Sequence, residues 1–166
     1  MTPDVSYIRE PGRLLAYEAA RLLGKATGND RLSVLADVMR GPEGALRLRI
    51  EARLATRRIP EALGPGEPWW WDDADRAGYA WERNYAIERA TLLANHARAA
   101  SEGLTRADIS ALTEHARELA RVVEALDISA HPHLREHAIM VPVTCETIVT
   151  LASDPWYWDA PVELPT

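Results

Sequence analysis

The chain of 166 residues contains no phenylalanine, one lysine and one cysteine. Because Cys145 is the only cysteine, no internal disulfide can form, and a reducing compartment is expected. The longest unbroken apolar run, over residues 138–143, is far too short to span a membrane. The amino terminus also lacks the basic start and apolar stretch of a signal peptide. These absences predict a cytoplasmic protein without a membrane partner.

The composition that remains is that of an ordinary globular domain. Hydrophobic residues make up 47% and charged residues 27% of the chain, which argues against disorder over most of its length. The length fits one folding unit over residues 1–166. The net charge of -6 disfavours a dedicated nucleic-acid binder, since affinity for phosphates comes largely from Lys and Arg.

Prolines, glycines and capping residues predict an all-α bundle of five or six helices. The segment 139–151 is rich in β-branched residues, and we predict a helix interrupted at Pro142, with a short strand as the alternative. We expect the two helices after the central loop to form a long hairpin. The predicted elements are an irregular start over 1–10, helices over 11–26, 30–40, 42–59, 72–101 and 105–126, a Pro/Gly loop over 60–68, and an extended aromatic tail over 153–166.

Two predicted helices carry apolar residues on two sides, which exceeds what one buried face requires. Because a small bundle can surround few helices completely, we expect self-association through the second stripes. The stripes of the helix over 42–59 are Ala45, Leu48, Ala52, Ala55, Ile59 and, opposite them, Leu46, Ile50, Leu54. Those of the long helix are Ala74, Trp81, Tyr85, Leu92, Ala99 and, opposite them, Tyr79, Ala86, Ala90, Leu93, Ala97.

Five of the six tryptophans fall into two similar strings beside prolines. One string is Trp69, Trp70 and Trp71, and the other is Trp156, Tyr157 and Trp158. Aromatic rings on loops are good anchors for a partner, because each brings a large contact area and a polar group. In a chain without phenylalanine some of these rings must also serve the core. The two strings are therefore candidates for partner binding and for core packing.

An arginine ridge also indicates an interaction surface. Arg49, Arg53 and Arg57 follow one another at helical spacing, beside the apolar residues Leu46, Ile50 and Leu54. Such a ridge fits ion pairing at a protein interface, where Arg is enriched. Contact with nucleic-acid phosphates is the alternative interpretation.

The candidates for chemistry are few. His133, Glu136 and His137 match the H-x-x-E-H pattern of zinc peptidases, and His131 could add a metal ligand. A match over five residues does not imply peptidase activity. A site for zinc or another divalent metal is the alternative interpretation. Cys145 fits a packed hydrophobe better than a nucleophile. Glu88 is expected to face inward beside Trp81, as part of a structural ion pair or as a general acid.

These observations predict a non-catalytic, self-associating protein-interaction module with a structural, adaptor or regulatory role and no cofactor. One alternative is a small helical metal-binding protein or enzyme that uses the His131–His137 cluster. A second alternative is a nucleic-acid-associated regulator that uses the arginine ridge.

Overall fold

A computed structural model describes residues 14–63 and 68–153, without the side chains of residues 57–63. These residues form five α-helices and no strand, so the prediction of an all-α protein is confirmed for them. None of the described helices is both long enough and apolar enough to cross a membrane. The helices are α1 (Ala16–Thr27), α2 (Asp30–Leu63), α3 (Asp73–Ser101), α4 (Arg106–Glu124) and α5 (Arg135–Ala152), with a 3-10 turn at Pro132–Leu134 before α5.

Capping residues set several of these boundaries, as the sequence predicts. Asp72 precedes α3, and its carboxylate accepts the N–H of Asp75, whose carboxylate in turn accepts the N–H of Asp72. Thr105 and Asp108 form the same reciprocal pair at the start of α4. Such capping boxes satisfy N–H groups that have no partner within the helix. Gly28 ends α1 with a φ of 71°, a left-handed conformation that glycine adopts without strain.

The helix α2 corrects the predicted break at Gly41. It continues through Gly41 and Pro42 without interruption and ends at Leu63, beyond the predicted end at Ile59. A proline inside a helix removes one backbone hydrogen bond and costs about 3 kcal/mol. On either side of it, Met39 and Leu46 are completely buried. Burial of the flanking turns offsets the cost of the proline, because most helix stability comes from tertiary packing.

The helix α5 corrects a second predicted interruption, at Pro142, and excludes the strand alternative for residues 139–151. It runs unbroken over this segment despite its β-branched residues. Val141, Cys145 and Ile148 lie on its buried side, whereas Pro142 is only partly buried. Because the buried residues repeat at helical spacing, tertiary packing of this side outweighs the weak β propensity of the side chains.

The chain divides into two compact units. The first unit contains the described residues up to Arg47 and those from Gly103 onward, and the second contains Leu48–Glu102. The predicted partners of the long hairpin, α3 and α4, belong to different units. The hairpin and the single domain therefore stay predictions.

The first unit has a core of large aliphatic side chains. The helix α4 packs along α5, and α1 also contacts α5. The helix α4 buries one apolar stripe, which contains Leu112, Ala116, Leu119 and Val123. The largest completely buried side chains of this unit include Leu23, Leu32, Leu35, Met39, Leu112, Leu119, Ile148 and Leu151.

The second unit has a core of small side chains. Ala52 of α2 clusters with Ala94 and Ala97 of α3, and Leu48 and Leu93 pack against them. Small residues at a helix contact allow the two backbones to approach closely. The alanine-rich stripe predicted for α2 therefore meets one of the two stripes predicted for α3.

Candidate functional site

The second apolar stripe of α3 is the main candidate for a functional surface. Trp81, Tyr85 and Leu92 lie on one side of the helix and are exposed by 67%, 56% and 55%. On the opposite side, Ala90 and Ala97 of the predicted stripe are buried, together with the neighbouring Ala94. The prediction that α3 has two apolar sides is thus confirmed, with one side packed and the other open. We call Trp81, Tyr85 and Leu92 the α3 apolar face.

Two rings of the α3 apolar face are already stacked on each other. The centroids of Trp81 and Tyr85 are 5.6 Å apart and the ring planes differ by only 7°. The spacing of four residues brings the two side chains together on consecutive turns. Stacking fixes both rings before any partner arrives, which lowers the entropy that is lost on binding.

The first turns of α3 are exposed on nearly all sides. Between Asp73 and Tyr85, only Tyr79 is partly buried. An isolated helix of this length is marginal in water, and Gly78 weakens it further. The capping box of Asp72 and the stacked Trp81 and Tyr85 support it locally. A partner that covers this segment would supply the packing that its described surroundings do not.

The tryptophans before α3 add aromatic surface to the same unit. Trp69 is 91% exposed and Trp70 is 65% exposed. Trp71 is partly buried and lies 5.2 Å from the ring of Tyr79, so it anchors the start of the helix. The second predicted aromatic string, Trp156, Tyr157 and Trp158, lies outside the described residues.

The stripe Leu46, Ile50 and Leu54 is placed differently from the prediction. Leu46 and Ile50 are completely buried within this chain, and Leu54 is partly buried. Sequence periodicity identified the second apolar side of α2 but not what covers it. Leu46 and Ile50 therefore belong to the core and are not offered to a partner.

The arginine ridge also loses a member. Arg49 is buried, and its guanidinium donates to the hydroxyl of Ser101 at 3.5 Å. Arg53 is partly buried, and the side chain of Arg57 lies outside the described residues. Because phosphate contacts need accessible guanidinium groups, Arg49 cannot take part in them here.

The two histidines of the H-x-x-E-H match do not share one α-helix. His133 lies in the 3-10 turn and His137 in α5, so one continuous α-helix does not carry both. The rings of His131 and His133 are 6.0 Å apart and edge to face. Within the described residues, no group of three or more His, Cys, Asp or Glu side chains is placed to hold a metal ion.

A buried carboxylate that the sequence reasoning missed lies in the first unit. Glu43 of α2 is completely buried, and its two oxygens accept the N–H groups of Ala16 at 2.7 Å and Tyr17 at 2.9 Å. These are the first two residues of α1, whose N-cap residue, Leu15, has no side chain that could accept them. Glu43 therefore caps α1 from another helix. The helix α1 begins at Ala16, after the extended residue Leu15, which corrects the predicted start at Pro11.

Burial controls the acidity of this carboxylate. Desolvation raises the pKa of Glu43 to about 7, and the N–H groups of Tyr17 and Ala16 offset part of the rise. Glu18 raises the pKa further, whereas Arg47 lowers it. Glu43 thus titrates near neutral pH. The N–H groups that Glu43 accepts are far from it in the sequence. No local sequence pattern therefore predicts its role as a cap.

Two other candidates for chemistry have unreactive surroundings. Cys145 is buried, and burial raises the pKa of its thiol well above the ordinary value, with a further contribution from Glu43. A thiol in this state is a poor nucleophile. The prediction that Glu88 faces inward is wrong, because Glu88 is exposed on α3.

Comparisons with known proteins add no relative. We found no family model, no curated protein and no solved structure that matches this chain. The site must be interpreted from its own geometry.

Proposed function

We propose that this protein is a non-catalytic interaction module that binds another polypeptide through the α3 apolar face. The observation that carries the proposal is the exposure of Trp81, Tyr85 and Leu92 on a helix whose opposite stripe is packed. Soluble domains rarely expose aligned large apolar side chains unless they bind something. Tryptophan and tyrosine are also the residues that dominate binding energy at protein interfaces.

The shape of the surface favours a polypeptide over a small molecule. Small ligands bind in concave pockets that enclose most of their surface. The α3 apolar face is instead the convex side of a helix, along which Trp81 and Leu92 lie three turns apart. A surface of this kind fits the groove or the side of another helix. A structural, adaptor or regulatory role follows from this type of contact.

Site-specific photo-crosslinking in cells that make the protein naturally tests the proposal. A photoreactive amino acid replaces Tyr85 in one variant and Glu146, an exposed residue of α5, in the control. We expect polypeptide adducts from position 85 and few from position 146. Equal adducts at both positions, or none at position 85, would contradict the proposal.

A further inference from the structure

We infer that the α3 apolar face binds a second copy of this chain, with the two α3 helices antiparallel. The inference rests on the proposed function and names its partner. It depends on the order of residues along the exposed side of one helix. Three observations support it: matching apolar positions, matching charges and the amount of exposed surface.

The order of apolar residues along the exposed side of α3 is similar in both chain directions. Trp81 and Leu92 lie at equal distances on either side of the point midway between Tyr85 and Glu88. Ala74 and Ala99, both exposed, are also equidistant from this point. Two antiparallel copies aligned at this point therefore place Trp81 against Leu92, Ala74 against Ala99 and, at the centre, Tyr85 against the exposed Glu88 of the other copy. A twofold axis requires such self-complementarity of one patch.

The charges beside the α3 apolar face fit the same alignment. Glu82 and Arg89 are exposed on one flank of the face and are separated by seven residues, which is too far for a contact within the helix. In the antiparallel pair, Glu82 of one copy lies within one turn of Arg89 of the other, on the same flank. Asp73, which also pairs with Arg76 of its own helix at 3.3 Å, is placed near Arg98 of the other copy on the opposite flank.

The exposed area suits a modest dimer. Trp81 and Tyr85 together expose on the order of 250 Å² per copy. These two rings supply about a third of the roughly 800 Å² per partner that a standard interface buries, and Leu92 and the flanking charges extend the surface along the helix. A contact of this composition is expected at micromolar protein concentrations, and it would cover the first turns of α3.

Disulfide trapping tests the alignment directly. The variants Ala74→Cys and Ala99→Cys are prepared separately, and the buried Cys145 remains in both. We expect a covalent dimer when the two are mixed under oxidising conditions, and almost none from either variant alone, because equivalent positions lie far apart in an antiparallel pair. Cross-linking of each variant with itself would indicate a parallel pair and overturn the inference.

A charge exchange gives the matched control. Glu82→Arg and Arg89→Glu each bring like charges together and should weaken the dimer severalfold, as measured by light scattering across a concentration series. The double variant restores opposite charges and should recover the native dissociation constant. If the native protein stays monomeric even at 100-fold above a concentration of about 1 μM, the inference that a second copy binds the α3 apolar face is overturned. The photo-crosslinking result then decides separately whether another polypeptide occupies the face.

Discussion

The helices α4 and α3 show how differently the two units of this protein use an amphipathic pattern. In the first unit, α4 buries Leu112 and Leu119 and presents charged residues on the other side. In the second unit, α3 buries alanines and leaves Trp81, Tyr85 and Leu92 exposed. The large apolar side chains thus stabilise the fold in one unit and remain at the surface in the other.

The residues that stabilise the fold are therefore different from those available for interaction. Burying a leucine completely contributes about 2 kcal/mol through removal from water, whereas an alanine contributes much less. A helix that packs through alanines leaves its larger apolar residues available for a partner. We therefore expect substitutions in α4 to affect unfolding and substitutions on the exposed side of α3 to affect association.

A pair of identical substitutions provides the largest contrast. Leu119→Ala removes a completely buried side chain and should lower the free energy of unfolding by about 3 kcal/mol. Leu92→Ala removes a side chain that is 55% exposed and should change it by less than about 0.5 kcal/mol in the monomer. Urea titration followed by circular dichroism measures both. Equal losses in the two variants would show that the exposed side of α3 is packed in solution.

The second prediction concerns pH and the buried cap of α1. The folded protein holds the proton of Glu43 up to a pKa of about 7, whereas the unfolded chain releases it near 4.5. The folded state therefore binds more protons between these values, and the free energy of unfolding falls as pH rises through this window. The expected decrease is up to about 3 kcal/mol, measured by urea titration at several pH values.

The variant Glu43→Gln tests the origin of this pH dependence. It keeps an acceptor for one N–H of α1 but cannot titrate, so most of the slope between pH 4.5 and 7 should disappear. Glu146→Gln, at an exposed position of α5, controls for the loss of one negative charge. If Glu43→Gln retained the full slope, other groups would be responsible for it.

Local sequence signals predicted the starts of α3 and α4 and the two apolar sides of α3. The caps at Asp72 and Thr105 depend on residues three apart, and the two sides of α3 follow from its periodicity alone. The continuity of α2 through Pro42 could not be predicted in this way, because it depends on packing by residues distant in the chain.

The sites were harder to predict than the helices. Glu43 acts on Ala16 and Tyr17, more than twenty residues earlier, and no local pattern connects them. Glu88 shares a side of α3 with Trp81, but periodicity does not say which side faces the core. Here the small alanines were buried and the large aromatic residues were exposed, which reverses the usual preference.

Overpacking of the second unit is the third prediction. Ala94 is completely buried in the alanine cluster with Ala52, so Ala94→Leu should separate the helices and cost about 2 kcal/mol. Ala99→Leu, on the exposed side of the same helix, adds the same atoms without a clash inside the chain and should leave the unfolding of the monomer almost unchanged. Urea titration of the two variants compares them. Tolerance of leucine at position 94 would mean that the helices of this unit are loosely packed.

The smallest effect is expected at an accessible ion pair of the first unit. The guanidinium of Arg31 donates to both carboxylate oxygens of Glu118 at 2.7 and 2.6 Å, and this hydrogen bonding lowers the pKa of Glu118. A carboxylate whose pKa is lowered by folding stabilises the folded state at pH values above its unfolded pKa. This stabilisation is lost on acidification. Both side chains are accessible to water, however, and exposed ion pairs contribute little after screening.

The variant Arg31→Met keeps a side chain similar to the aliphatic part of arginine and removes its charge. We expect its urea midpoint at neutral pH to shift only slightly, and the remaining difference from the native protein to vanish in 1 M salt. A loss comparable to that of Leu119→Ala would contradict the view that the first unit is held by its aliphatic core. Since bidentate geometry alone does not overcome the competition from water, the depth of burial decides the size of each effect in this protein.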